Sequence, residues 1–191
     1  MKTLLRTSLL LAGLLAVTST AQAAPETYTL DPTHTAVTWT INHFGFSNPW
    51  GKFSMITGSL TLDEKAPQDS KVDVTIPTDE LVTGLPKLDE HLKSKDFLDV
   101  ATYPTATFVS TKVTLTSKGT ARVEGNLTLH GVTKPETLNV TLNKIGENMF
   151  KKKTAGFSAT TTIKRSDFGI TTYLPMLGDE VKLYIESEAN L

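Results

Sequence analysis

The chain has no cysteine among its 191 residues, which excludes a disulfide framework, a thiolate metal site and a cysteine nucleophile. It also lacks a long apolar run: the most continuous one, Leu9 to Val17, falls well short of the ~20 residues a membrane-spanning helix needs. Neither charge is in excess, with 19 basic residues against 20 acidic ones. That balance argues against nucleic acid or an anionic lipid surface as a partner. No internal repeat, charge block or low-complexity tract marks a second domain.

What is present begins with an export pattern. Lys2 and Arg6 precede the apolar run, and Ala21-Gln22-Ala23 follows it, which is the order of a secretory signal with a small-residue cleavage site. Residues 1–23 are therefore expected to be a signal peptide, and the mature protein to start at Ala24 and be soluble outside the cytoplasm. Cleavage leaves 168 residues with 17 basic against 20 acidic side chains. That length suits one domain, 24–191, held by packing alone.

The mature chain reads as strand after strand. Apolar and polar residues alternate in Val37–Ile41, Val72–Ile76, Leu127–Leu129, Leu138–Leu142 and Val181–Ile185, the signature of half-buried strands. Further runs near 52–62, 105–116 and 153–164 bring the expectation to about eight, with turn signals at Pro67–Ser70, Ser117–Gly119, Gly131 and Gly146–Asn148. Two packed sheets would satisfy the same periodicity, but the longest runs each show one clean apolar face, which favours an antiparallel barrel. A single helical pattern interrupts the strands at about 86–99, where Leu88 and Leu92 lie one turn apart and Phe97 follows. It reads as a lid or plug over one end.

Chemistry-bearing motifs are few. His34, His43, His91 and His130 have no metal-ligand spacing, so no metal site is expected. His91 has Asp89, Glu90, Asp96 and Asp99 near it in sequence, so a periplasmic enzyme using His91 and these carboxylates is one alternative. The same residues describe a polar helix face. Arg165, in Lys164-Arg165-Ser166-Asp167-Phe168-Gly169, either orders a turn or grips an anionic ligand group.

Several motifs in the same order carry a family resemblance: Asp31-Pro32-Thr33-His34, Asn42-His43 with Phe44 and Phe46, Gly51-Lys52-Phe53 leading to Gly58, Asp89 through Asp99, and Tyr103-Pro104-Thr105-Ala106-Thr107-Phe108. Leu127 through Pro135, Arg165 through Gly169 and Gly178-Asp179-Glu180-Val181 complete the set. Together they resemble the YceI-like family across nearly the whole mature chain. The stretch Phe44 to Trp50 is bulkier and more aromatic than the family's usual loop there. The resemblance implies an all-β, extended, eight-stranded, lipocalin-like barrel in the bacterial periplasm. It would be a binding or carrier protein for a polyisoprenoid or similar long-chain lipid, without catalytic residues or a cofactor. Family members are linked with stress or isoprenoid-quinone metabolism, and some resemble dimers, which leaves a homodimer open.

Alternation parity nominates Val37, Trp39, Ile41, Phe53, Phe108, Leu127, Leu129, Phe157 and Phe168 for the channel lining, with Leu88, Leu92 and Phe97 beneath the helical cover. The competing expectation is a solid barrel, lipid-free and structural or partner-binding, because eight strands can be filled by side chains alone.

Overall fold

Threonine and valine at alternating positions favour extended backbone. A computed structural model describing residues 24–191 consists of eleven strands, one α-helix and three short 3₁₀ turns. The expected signal peptide lies outside the described residues. The strands are β1 (Glu26–Leu30), β2 (Ala36–His43), β3 (Trp50–Phe53), β4 (Thr57–Leu62), β5 (Lys71–Pro77) and β6 (Leu81–Val82). After helix α1 (Pro86–Lys93) come β7 (Thr105–Ser117), β8 (Thr120–Leu129), β9 (Val132–Glu147), β10 (Lys153–Lys164) and β11 (Leu177–Asn190).

All pairings are antiparallel. The ladder runs β1-β4-β5-β7-β8-β9-β10-β11 and closes where β1 meets β11 through Thr29↔Asn190 and Leu30↔Ala189. Eight strands thus complete a barrel. The other three extend it: β2 continues from β1 along the same edge of β11, β3 pairs with β2, and β6 pairs with β3. Three adjacent staves of an eight-stave barrel are therefore each broken in two; of the eight expected runs only 52–62 is divided, and β1 and β6, which lie outside the expected runs, bring the count to eleven.

Each break has a local cause. Between β1 and β2, the Asp31 carboxylate accepts from the Thr33 N–H at 2.9 Å and the Thr33 hydroxyl at 2.6 Å, an Asx-type bend that competes with the ladder. Between β3 and β4, Met55 takes a left-handed φ of 55°. The run expected as one strand over 52–62 is consequently two. Between β5 and β6, the Thr78 hydroxyl donates to the Tyr103 carbonyl at 2.7 Å and its N–H to the Pro104 carbonyl at 2.9 Å, drawing the chain into a 3₁₀ turn.

The helix is shorter than expected, ending at Lys93 and not near 99. The Ser94 hydroxyl and N–H both donate to the His91 carbonyl, at 2.7 and 3.2 Å. Tight turns then carry the chain through Asp99, whose φ is 43°. Pro86 occupies the first turn, where its missing N–H costs nothing. At the β8–β9 connection, His130 and Gly131 both have positive φ, which suits a two-residue hairpin turn. The β9–β10 turn falls later than expected, because β9 continues through Gly146 and Glu147. There Asn148 Oδ1 accepts the N–H groups of Phe150 and Lys152.

Where pairing stops, helical pieces fill the gap. Above Asn139↔Thr160, β9 and β10 no longer pair, and the 3₁₀ turn Arg165–Phe168 occupies the opening. β6 has no strand partner beyond β3, and α1 packs beside it. The larger cluster of buried apolar side chains includes Tyr28, Ile56, Ala155 and Ala189, on β1, just before β4, on β10 and on β11.

Candidate functional site

The barrel is hollow. An upper cavity of about 500 Å³ lies under α1 and the β2–β3 hairpin, and a lower one of about 540 Å³ extends toward the β7–β8 turn. Val37, Ile76, Leu127 and Leu183 border both and form a waist between them. Each volume falls within the range of about 300–1,000 Å³ typical of small-molecule pockets.

Of the twelve side chains nominated for the lining, eleven border these cavities. Val37, Trp39, Ile41, Phe53, Leu127 and Leu129 face the upper chamber from the strands, and Leu88, Leu92 and Phe97 face it from α1 and the turn after it. Phe108 and Phe157 face the lower chamber. Phe168 lines neither. It is fully buried in the 3₁₀ turn, where period-two parity does not apply, and its carbonyl lies 3.1 Å from His130 Nδ1. The nominations omit lining residues that the same alternation marks, among them Val74, Ile76, Leu138, Val140, Val181 and Leu183.

Large aromatic rings would ordinarily block so narrow a barrel, and the backbone beneath them is what leaves room. Trp39 is paired across the ladder with Gly51, and its indole lies flat on that glycine: a Cβ placed there would sit 2.5 Å from Trp39 Cζ2. Phe108 lies over Gly125 in the same way. Both rings therefore hug the wall. The arrangement leaves Trp39 Nε1 as the one buried side-chain polar atom without a partner among the described residues. Such an orphan costs about 1–3 kcal/mol.

Polar groups in the walls are few and placed unequally. The upper chamber has no carboxylate in its lining, and its one cation is Arg165, 4 % exposed. That guanidinium donates through Nε to the Gly178 carbonyl at 2.8 Å and through its terminal nitrogens to the carbonyls of Ile170 and Leu177 at 3.0 and 3.1 Å. Burial lowers its pKa and the Asp179 carboxylate opposes the shift, while Asp179 itself accepts from the Ser166 N–H and hydroxyl. Arg165 therefore orders the β10–β11 connection. In the lower chamber, burial and the Asp167 carboxylate push the Glu136 carboxyl up.

His91 does not form the acid–base pair considered from sequence. Its ring packs edge-on against Phe97 at 5.1 Å and near Tyr173 at 6.3 Å, while Asp89 is engaged by the Thr83 hydroxyl and N–H at 2.6 and 2.7 Å. Among the described residues no group of three or more His, Asp or Glu side chains is placed to hold a metal ion. No described helix is long and apolar enough to cross a membrane.

The family model for the YceI-like domain matches residues 28–189, spanning every strand of this barrel but the ends of β1 and β11. The chain belongs to the YceI-like family. This YceI-like chain is 44% identical over 157 residues to a UPF0312 protein of Pseudomonas putida strain W619, covering 81% of this chain and 82% of that one. Its fold is similar to the crystal structure of Burkholderia cenocepacia BcnA, with a TM-score of 0.76 at 24% identity over 84% of this chain and 99% of the other. It also resembles a structure from Saccharophagus degradans described as a polyisoprenoid binding domain implicated in plant cell wall breakdown, with a TM-score of 0.67 at 15% identity. That alignment covers 85% of this chain and 97% of the other. The extended eight-stave barrel with one short helix is thus the fold of the family.

Proposed function

We propose that this protein is a periplasmic carrier that holds a polyisoprenoid or similar long-chain amphiphile in the tunnel formed by its two chambers. The single observation that carries the proposal is an apolar cavity on each side of a waist of four aliphatic side chains, inside a closed barrel. A flexible hydrocarbon chain fits that shape, whereas a compact polar substrate would leave its own groups unpaired. The description of the Saccharophagus degradans domain as polyisoprenoid-binding agrees with it, as does the export pattern of the first 23 residues.

Energetics suffice without catalysis or a cofactor. Burying a chain of ~15 carbons at ~0.8 kcal/mol per methylene favours binding by on the order of 10 kcal/mol before ordering costs. Selectivity then follows from the bore and length of the tunnel.

Mass spectrometry under non-denaturing conditions tests the proposal on mature protein produced in bacteria. The expected result is an added mass that organic solvent releases as an isoprenoid or acyl lipid. Bare protein, together with no thermal stabilisation by added geranylgeraniol, would overturn it. Leu129→Arg and Phe108→Arg place a guanidinium in the upper and lower chambers and should abolish uptake by folded protein.

A further inference from the structure

Two connections meet at the mouth of the upper chamber, and neither carries a fixed charge. In a chain with 20 % charged residues, no Asp, Glu, Lys or Arg occurs from Thr35 to Gly51 or from Phe168 to Gly178. The first stretch holds the β2–β3 hairpin and the second the β10–β11 connection, and the pairing of Leu177 with His43 sets them side by side. Phe44 and Tyr173 line the chamber and are also exposed. Beyond them Phe46, in the hairpin tip closed by His43 and Ser47, is 91 % exposed and Met176 is 61 % exposed, and neither lines the chamber. Trp50 is exposed on the outer face of the same hairpin, since it alternates with Gly51, whose inward side is covered by Trp39. Lys87, Glu90, Lys95 and Asp96 are exposed on α1 and the turn after it, so the apolar side of the mouth is the hairpin and the connection.

The backbone of these loops is bonded within itself. The His43 N–H donates to the Ser47 carbonyl at 2.8 Å, the Phe46 N–H to the His43 carbonyl at 3.0 Å and the Gly45 N–H to Asn42 Oδ1 at 2.9 Å. In the connection, the Leu174 N–H donates to the Thr171 carbonyl at 3.1 Å and the Leu177 N–H to the Tyr173 carbonyl at 2.9 Å. Amide donors satisfied in this way leave water at little cost, which is what contact with hydrocarbon demands. The β9–β10 turn is the counter-case: Met149 and Phe150 are exposed there, but Lys151, Lys152 and Lys153 follow directly. A second copy of the chain seated on the uncharged loops would cover the mouth that a guest must pass, and the loops offer it no charge to fix a register. A bilayer needs no such register.

Resting on the carrier function proposed above, we infer that this apolar side of the mouth docks on the surface of a phospholipid bilayer, with Phe46 and Met176 entering the boundary between headgroups and acyl chains. Trp50, on the outer face of the hairpin, takes the place that interfacial tryptophan holds beside a membrane. The guest then passes between acyl chains and chamber along Phe44 and Tyr173, and its apolar length does not cross open water. Apolar burial drives this docking, so it depends on neither lipid charge nor salt.

Flotation of the mature protein with vesicles of pure phosphatidylcholine, at about 0.05 M and about 0.5 M salt, tests the inference. The wild type should float equally at both, and Phe46→Ser/Met176→Ser should lower its partition coefficient about tenfold. Met149→Ser/Phe150→Ser, at the far turn, should leave partition within about twofold. Because neither Phe46 nor Met176 lines the chamber, the first variant should bind geranylgeraniol added from solution within about twofold of wild type, while transfer from vesicles slows about tenfold. A wild type that binds geranylgeraniol but does not float, equal losses in both variants, or flotation that requires anionic lipid and vanishes at high salt would overturn the inference while leaving the carrier function standing. A dimer that Phe46→Ser/Met176→Ser dissociates in sedimentation, without flotation of the wild type, would assign the face to a second copy and overturn it as well. Failure of the wild type to bind geranylgeraniol at all would instead remove the carrier function itself.

Discussion

At the scale of single residues, the glycines beneath the aromatic rings set the bore of the tunnel. Gly51→Ala places a methyl group 2.5 Å from a ring carbon of Trp39, so the indole must leave the wall and turn into the upper chamber. Urea denaturation should show a loss of about 1–3 kcal/mol, and Trp39→Leu in the same background should recover part of it. No recovery would place the strain in the backbone and not in the ring. A second residue-scale expectation concerns the bend between β1 and β2. The Thr33 hydroxyl and then His34 hold the Asp31 carboxyl well below its usual range, and Asp31 in return raises the His34 pKa. The His34 contribution to stability is complete below its unfolded value of ~6.5 and fades as pH rises through the higher folded value. The Asp31 contribution is present above ~3.9 and is lost as pH falls through its lowered value. Asp31→Asn should return the His34 titration, followed by NMR, toward ~6.5, and an unchanged midpoint would show that the pair does not act in solution.

Among the elements, the connection from β10 to β11 is the most exposed to single-site damage. Arg165 satisfies the carbonyls of Ile170, Leu177 and Gly178 at once. Arg165→Met strands all three in an apolar setting at about 1–3 kcal/mol each. A loss of at least about 3 kcal/mol is expected, with hydrogen exchange accelerating over 166–178, and Arg165→Lys should rescue little because one ammonium cannot reproduce the fork. A loss below about 1 kcal/mol would mean that water replaces the guanidinium. The same segment shows what the sequence conveyed and what it withheld. Strand positions and inward faces were legible because period-two alternation is a local property, visible in Val37-Thr38-Trp39-Thr40-Ile41 and Val181-Lys182-Leu183-Tyr184-Ile185. The strand breaks were not legible, since Thr78 turns the chain by bonding to Tyr103 and Pro104, 25 and 26 residues away in sequence. Phe168 was misplaced for a related reason: a 3₁₀ turn, not a strand, carries it. The helix was legible from Leu88 and Leu92, and its end was not, because the Ser94 hydroxyl stops it through a bond to its own preceding turn.

For the molecule as a whole, the waist is where the proposed carriage of one guest across both chambers can be tested. Filling it with Leu183→Trp should leave short guests such as farnesol bound in one chamber while long prenols lose about tenfold or more, because several methylenes at ~0.8 kcal/mol each can no longer cross. Calorimetric titration of the two guests checks this, and equal affinities would show that the chambers work separately. The aligned breaks have a mechanical corollary. By backbone pairing, β2, β3 and β6 are suspended from β11 alone, through the ladder from Glu186↔Ala36 to Leu177↔His43. The hydrogen-bonded ring of eight below them closes without their help. On the carrier function proposed above, the crown of the molecule is the part that can loosen for a guest to enter while the stem keeps its shape, so that loading does not require unfolding.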